Sequence, residues 1–250
     1  MKTILITGCS SGFGLEIARH FLAQGWQVIA TMRTPRNDVL PPSERLRVLP
    51  LDVTDAASIR AAVQAAGPVD VLVNNAGFGV AAPAELAPLD GIRSVFETNT
   101  FGTIAVAQAF VPQMRERGAG VVINVTSSVT LKALPLVGAY SASKAAVNAF
   151  TESMATELAP FGVRVHLVLP GRAPETRFGQ NAHERMTGFD HPAYAEFAKQ
   201  TLAHLMDESS PTTRAADVAE AVWRVATDAS APRRLPAGAD AVAWAAEAAR

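Results

Sequence analysis

Cysteine is almost missing from this chain: Cys9 is the only one in 250 residues. One thiol makes no internal disulfide and no cysteine-based metal site, and it suits a reducing compartment, so a cytoplasmic setting is expected. Cys9 sits in a Gly-rich turn, where any small residue suffices. Histidine is scarce too. His20, His166, His183, His191 and His204 show no H-x-x-x-H spacing, so no metal is expected. Neither sign of charge is in excess: the formal net charge is −1, with no basic stripe. That argues against nucleic-acid and acidic-membrane partners. No apolar run reaches the ~18 uncharged residues of a membrane span. The first apolar run begins almost at Met1 and leaves no room for a signal peptide. Internal repeats and low-complexity linkers are lacking as well.

What is present is apolar sequence in short runs. The chain is 49% hydrophobic and 18% charged, which fits one large domain with a sizeable core. Strands are expected at Thr3–Thr7, Gln27–Thr31, Arg47–Leu51, Val69–Asn74, Gly120–Thr126 and Val163–Leu169. Most are unbroken runs of Val, Ile and Leu, as in strands buried on both faces. Helices are expected between them, at Leu15–Gln24, Asp55–Ala66, Leu89–Arg117 and Ala139–Ala159. This alternation predicts an α/β fold, a single Rossmann-type doubly wound parallel sheet with helices on both faces. The rhythm breaks after Gly171. Residues 172–211 read as an insertion covering a ligand, with a helix near Ala193–Met206. Residues 212–250 read as C-terminal helices, Asp217–Ala226 and Ala239–Ala249, around a short last strand at Leu235–Ala237.

Ile4, Leu5 and Ile6 run straight into T-G-C-S-S-G-F-G, and then into a helical pattern. Gly8, Gly12 and Gly14 let backbone N–H groups approach a pyrophosphate at a helix N-terminus. Far downstream, Tyr140 and Lys144 stand four residues apart in Y-S-A-S-K, about one helical turn, so they share a face. An ammonium there favours the phenolate and is expected to lower the phenol toward working pH. N-N-A-G, Asn74 to Gly77, ends the fourth strand and suits a loop packed on a ligand. The second strand ends in Met32 and Arg33 rather than an acid. A carboxylate there would take the ribose 2′-hydroxyl of NAD(H), whereas a guanidinium pairs with the 2′-phosphate, so NADP(H) is favoured over NAD(H).

Four motifs in this order resemble the short-chain dehydrogenase/reductase superfamily: T-G-x-x-x-G-x-G, N-N-A-G, a Ser-Ser at the end of the fifth strand, and Y-x-x-x-K. The resemblance covers residues 1 to about 176 and makes residues 1–171 the dinucleotide-binding core. It implies that Tyr140 is the acid/base acting on the substrate oxygen, with Lys144 as its partner and a ligand of the nicotinamide ribose. It implies that Ser127 bonds the substrate oxygen, with Ser128 as the near alternative, and that Asn99, in E-T-N-T-F-G, holds a water in the proton relay. The residue-level alternative for Asn99 is a polar side chain bending a buried helix. For the cofactor it implies Gly8, Ser10, Ser11, Gly12, Phe13 and Gly14 in the turn, Asp52 and Val53 near the adenine, and Asn75, Ala76 and Gly77. Pro170 and Gly171 would lie under the nicotinamide. Thr176 would take its carboxamide, although P-G-R-A-P-E-T is one residue longer than the commonest spacing.

The implied reaction interconverts a ketone or aldehyde with an alcohol. The A-T-M-R turn and the A-D-V-A-E-A-V…D-A-V pattern resemble the hydroxysteroid and retinol dehydrogenase branch. Phe78, Val80, Leu134, Leu136, Val137, Phe178 and Phe189 would make a lipophilic pocket or else the core of the insertion. A 3-oxoacyl-thioester reductase is the rival enzyme, and a non-catalytic dinucleotide-sensing regulator the rival of another class. The helix at Ala139–Ala159 carries two apolar stripes, Val147/Phe150/Met154/Leu158 and Ala142/Ala146/Ala149/Ser153. The second would pack on another copy, giving a homodimer or homotetramer.

Overall fold

The computed structural model describes residues 1–176, 178–179, 182, 184–205 and 210–249. Among them, seven strands form one sheet: β1 (Thr3–Ile6), β2 (Gln27–Met32), β3 (Leu46–Pro50), β4 (Val71–Asn74), β5 (Gly120–Val125), β6 (Val163–Pro170) and β7 (Arg234–Ala237). The order is β3-β2-β1-β4-β5-β6-β7, and each neighbouring pair is parallel. The chain steps outward from β1 to β3, then returns to the other side of β1. That reversal opens a crevice at the carboxyl ends of β1 and β4.

The apolar runs bury both faces by alternation. Ile4, Ile6, Val28, Ala30, Val71 and Val73 enter one core. Leu5, Ile29 and Leu72 enter the other. The first core is covered by α1 (Gly12–Ala23) and α7 (Ala215–Thr227), through Ile17, Phe21, Val218 and Val222. The second is covered by α2 (Ala56–Ala66), α4 (Thr103–Arg117) and α5 (Gly138–Leu158), through Ile59, Phe110, Met114 and Met154. A fully buried side chain such as Phe110 contributes roughly 1.5–3 kcal/mol. α6 (Ala195–Leu205) lies between β6 and α7, and α8 (Ala239–Ala248) follows β7. A short parallel bridge, Ala81 to Met186, ties the segment after β6 to the loop after β4.

The single helix expected at Leu89–Arg117 is divided. α3 (Leu89–Phe96) and α4 are joined by a π-helical turn at Glu97–Gly102. The cause is Asn99. Its Nδ2 donates to Phe78 O at 2.9 Å and Ser143 Oγ at 3.1 Å, and its Oδ1 accepts from Phe78 N at 3.0 Å. Thr100 Oγ1 also donates to Ser143 O at 2.9 Å. These long-range bonds within the chain hold the turn wide, one residue beyond the α spacing.

Candidate active site

The cleft at the sheet's carboxyl edge holds about 540 Å³, within the ~300–1,000 Å³ of small-molecule sites. Its floor is the turn after β1. Gly8 has φ +76 and Gly12 φ +60, both in the region that side chains disfavour. A Cβ on Gly8 would stand 2.9 Å from Ala76 Cα, and one on Gly14 would strike Gly8 O. The turn and the loop after β4 therefore touch backbone to backbone. Thr7 Oγ1 accepts from Asn75 N and Ala76 N, both at 2.9 Å, and Asn75 Nδ2 donates to Thr7 O at 2.9 Å. Asn74 Nδ2 continues inward to Asn124 Oδ1, whose own amide reaches Thr151 on α5 at 2.8 Å.

The residues present fit a dinucleotide. Ser11 caps α1 without a side-chain bond among the described residues, and the first turn carries no acid. The leading N–H groups and the positive end of the helix are left for an anion. Ser10, Ser11, Gly12 and Phe13 line the cleft there, and Gly14 packs beneath. Arg33, exposed at the end of β2, lines it beside Asp52 and Val53. Asp52 Oδ1 accepts from Thr54 N at 2.9 Å and Thr54 Oγ1 at 2.7 Å. Those bonds, with Arg33 nearby, hold the Asp52 carboxyl below its usual range. Asp55, not Asp52, caps α2, accepting from Ala57 N at 2.8 Å.

Asn75, Ala76 and Gly77 form the middle of the cleft, and Tyr140 and Lys144 its far wall. Both of these side chains are buried by α5, whose sheet-facing side carries them. Burial pushes the Tyr140 phenol up to about 12, against a downward pull from the adjoining Ser127 hydroxyl. Burial lowers Lys144 to about 8. Lys144 Nζ donates to Val125 O at 3.1 Å, at the end of β5. The expected lowering of Tyr140 by Lys144 is outweighed by desolvation of the buried phenol.

Ser127 and Ser128 separate cleanly. Ser127 faces Tyr140 and accepts from Val129 N at 3.3 Å, whereas Ser128 Oγ is buried with no partner among the described residues. Asn99 is fully buried beneath the cleft, and its bonds hold the backbone at Phe78. Thr176 lines the cleft, 3.7 Å from where a Gly12 Cβ would stand. Pro170 and Gly171 do not line it; Gly171 N donates instead to Thr213 Oγ1 at 2.9 Å. Of the apolar residues expected around a substrate, Phe78 and Phe178 line the cleft and the other five do not. The Phe178 ring lies 5.5 Å from that of Tyr140.

Sequence reasoning missed Thr126 and Arg185. Thr126 lines the cleft with its Oγ1 buried and without a partner among the described residues. Its place just before the Ser-Ser pair was the available signal. Arg185 lies over the Phe78 ring, 4.8 Å from the centroid. Nothing local in the sequence marks it. Among the described residues no group of three or more His, Cys, Asp or Glu side chains is placed to hold a metal ion. No helix among them is long and apolar enough to cross a membrane.

A family model described as short chain dehydrogenase matches residues 2–187. A 3-ketodihydrosphingosine reductase of Bacteroides thetaiotaomicron is 34% identical over 242 residues, covering 95% of this chain and 88% of that protein. Retinol dehydrogenase 8 of Bos taurus is 34% identical over 256 residues, covering 93% and 80%. Among solved structures, a short-chain dehydrogenase from Streptomyces avermitilis superposes with a TM-score of 0.84 at 35% identity, covering 98% of this chain and 91% of that one. The closed form of a serine dehydrogenase complexed with NADP+ superposes with a TM-score of 0.80 at 28% identity, covering 95% of each.

Proposed function

The chain belongs to the short-chain dehydrogenase family of nicotinamide-dependent oxidoreductases, and from that premise we propose NADP(H)-dependent interconversion of a ketone or aldehyde with an alcohol. The observation that carries the reading is the far wall of the cleft, where Tyr140 and Lys144 stand together and the Ser127 hydroxyl, behind the lining, adjoins the Tyr140 phenol. The nicotinamide, when bound, supplies or accepts the hydride. The protein handles the proton. A phenol at about 12 keeps its proton at neutral pH and can donate it to a carbonyl oxygen that Ser127 also holds. Lys144, one turn on, supplies the positive charge that steadies the resulting phenolate. Asn99 acts beneath them by fixing Phe78. Arg33 at the end of β2 supports the phosphorylated nucleotide.

Residues 1–171 are the cofactor half in this reading, and 172–211 cover the substrate end. Phe78 and Phe178 suit a lipophilic substrate, as do the relatives named for retinol and 3-ketodihydrosphingosine. Arg185 supports a second reading, a 3-oxoacyl thioester whose pantetheine carrier bears an anionic phosphate. The test follows NADPH and NADH absorbance against steroid, retinoid and long-chain ketones and acetoacetyl thioesters. Turnover is expected with NADPH on an apolar ketone. Nucleotide binding without turnover on any of them would leave a sensing role instead.

Assembly as a homodimer or homotetramer, in a cytoplasmic setting, completes the proposal. Val147, Met154 and Leu158 of α5 are buried against the sheet, while Ala142, Ala149 and Ser153 are exposed on its opposite side. Phe101, beside α4, is 55% exposed. Small residues permit close approach of a second copy. Light scattering at micromolar concentration is expected to exceed the 26.3 kDa of one chain; a monomer refutes this part.

A further inference from the structure

Beyond the last sheet pairing of β6, Pro170 with Ala237, two backbone N–H groups turn inward. Buried N–H groups need acceptors. Arg172 N donates to Asp240 Oδ2 at 2.6 Å. Gly171 N donates to Thr213 Oγ1 at 2.9 Å, and that hydroxyl lies 2.6 Å from Asp240 Oδ1. Thr213 N returns a bond to Arg172 O at 2.8 Å. Residues 173–212 thus leave and rejoin the fold at one hydrogen-bonded point. Thr213 is 1% exposed and Asp240 6%. The fit leaves no room for side chains: a Cβ on Gly171 would strike the Asp240 carboxylate, and one on Gly238 would strike Thr213 Oγ1. A second tie lies further on, where Ala215 N, at the start of α7, donates to Glu175 Oε1 at 2.6 Å. The loop held between these ties ends at Thr176, which stands over Gly12 in the cleft.

We propose that Asp240, acting through Thr213, is a positioning residue for the nucleotide site: it fixes the Gly171–Thr176 loop and so sets Thr176 over the glycine turn. Neither residue touches the cleft, and both lie outside the stretch matched by the family model, 2–187. The carboxylate suits this task because its two oxygens engage two partners at once, Arg172 N directly and Gly171 N through the hydroxyl. The inference rests on the reading of the cleft as a nicotinamide-dinucleotide site, but not on which nucleotide is preferred.

The test is fluorescence titration of NADPH and NADH onto the full chain, with steady-state kinetics beside it. Asp240→Ala is expected to weaken binding of both nucleotides by about tenfold, the order for a lost bond to a charged group. At saturating nucleotide, kcat should change by less than about threefold. Asp240→Asn keeps an oxygen for Arg172 N and should recover most of the affinity. Thr176→Val should weaken binding too, and adding it to Asp240→Ala should cost little more, because both act at one contact. Thr213→Ala removes the relay hydroxyl, with its bond to Ala237 O at 2.9 Å, and carries the same expectation should Asp240→Ala fail to fold. A lowered melting temperature with unchanged nucleotide affinity would make Asp240 merely structural and overturn the proposal. Full additivity with Thr176→Val would overturn it as well. A wild-type chain that bound neither nucleotide would instead overturn the reading of the cleft, and the role of Asp240 with it.

Discussion

Lys144 is bonded to Val125, Nζ to carbonyl O at 3.1 Å, and not to the phenol one turn before it. The ammonium therefore closes the end of β5 while standing within the same wall as Tyr140. Both groups are buried, and desolvation moves them in opposite directions, the phenol up and the ammonium down.

A pH dependence follows from these shifts. Lys144 falls from 10.5 to about 8, so across that window the unfolded chain binds a proton that the folded one does not. Its contribution to stability therefore rises with pH there. Tyr140 rises from 10.0 to about 12, so its contribution is full below 10 and lost as pH climbs to about 12. In the proposed mechanism, carbonyl reduction needs the protonated phenol and the ammonium together. Its kcat/KM should fall as pH rises through about 8, and a rate that keeps climbing into that range would contradict the assignment.

Tyr140→Phe removes the proposed proton carrier and leaves the glycine turn untouched. Turnover should drop by at least ~10²-fold, the lower end for a lost acid/base. Nucleotide affinity should stay near that of the wild type. The decisive comparison is single-turnover reduction of the best ketone by both proteins.

Arg33→Asp exchanges the cation at the end of β2 for an anion beside the Asp52 carboxylate. The ratio of kcat/KM with NADPH to that with NADH should fall by at least about tenfold. An unchanged ratio would show that Arg33 does not read the 2′-phosphate.

Cys9 is fully buried, its Sγ 3.3 Å from Ile6 O, and burial pushes the thiol up to about 12. The thiolate is the reactive form. Alkylation at neutral pH should be far slower in the folded protein than in denaturant, where the single thiol is modified at once. Fast labelling of the native chain would show that the turn opens.

The sheet, its helices and the glycine turn were legible because their signals are local. Continuous apolar runs mark doubly buried strands, and Gly8 and Gly12 mark backbone that side chains cannot follow. Tyr140 and Lys144 were legible for the same reason, since four residues fix a shared helical face. The break at Glu97–Gly102 was not. Its cause is Asn99 reaching Phe78 and Ser143, 21 and 44 residues away. A helical run shows no such partner in its own periodicity. The upward shift of Tyr140 also escaped, because burial depends on what α5 rests against. Asp240 and Arg172 meet 68 residues apart, across the whole insertion.

The π turn at Glu97–Gly102 also sets where the chain tolerates a change of length. A π turn carries one residue more than the α turn it replaces. Removing one residue there would restore α spacing from α3 into α4 and take Asn99 out of register with Phe78. A regular helix and a held loop at Phe78 are therefore alternatives in this segment, and the chain departs from its local preference to keep the second.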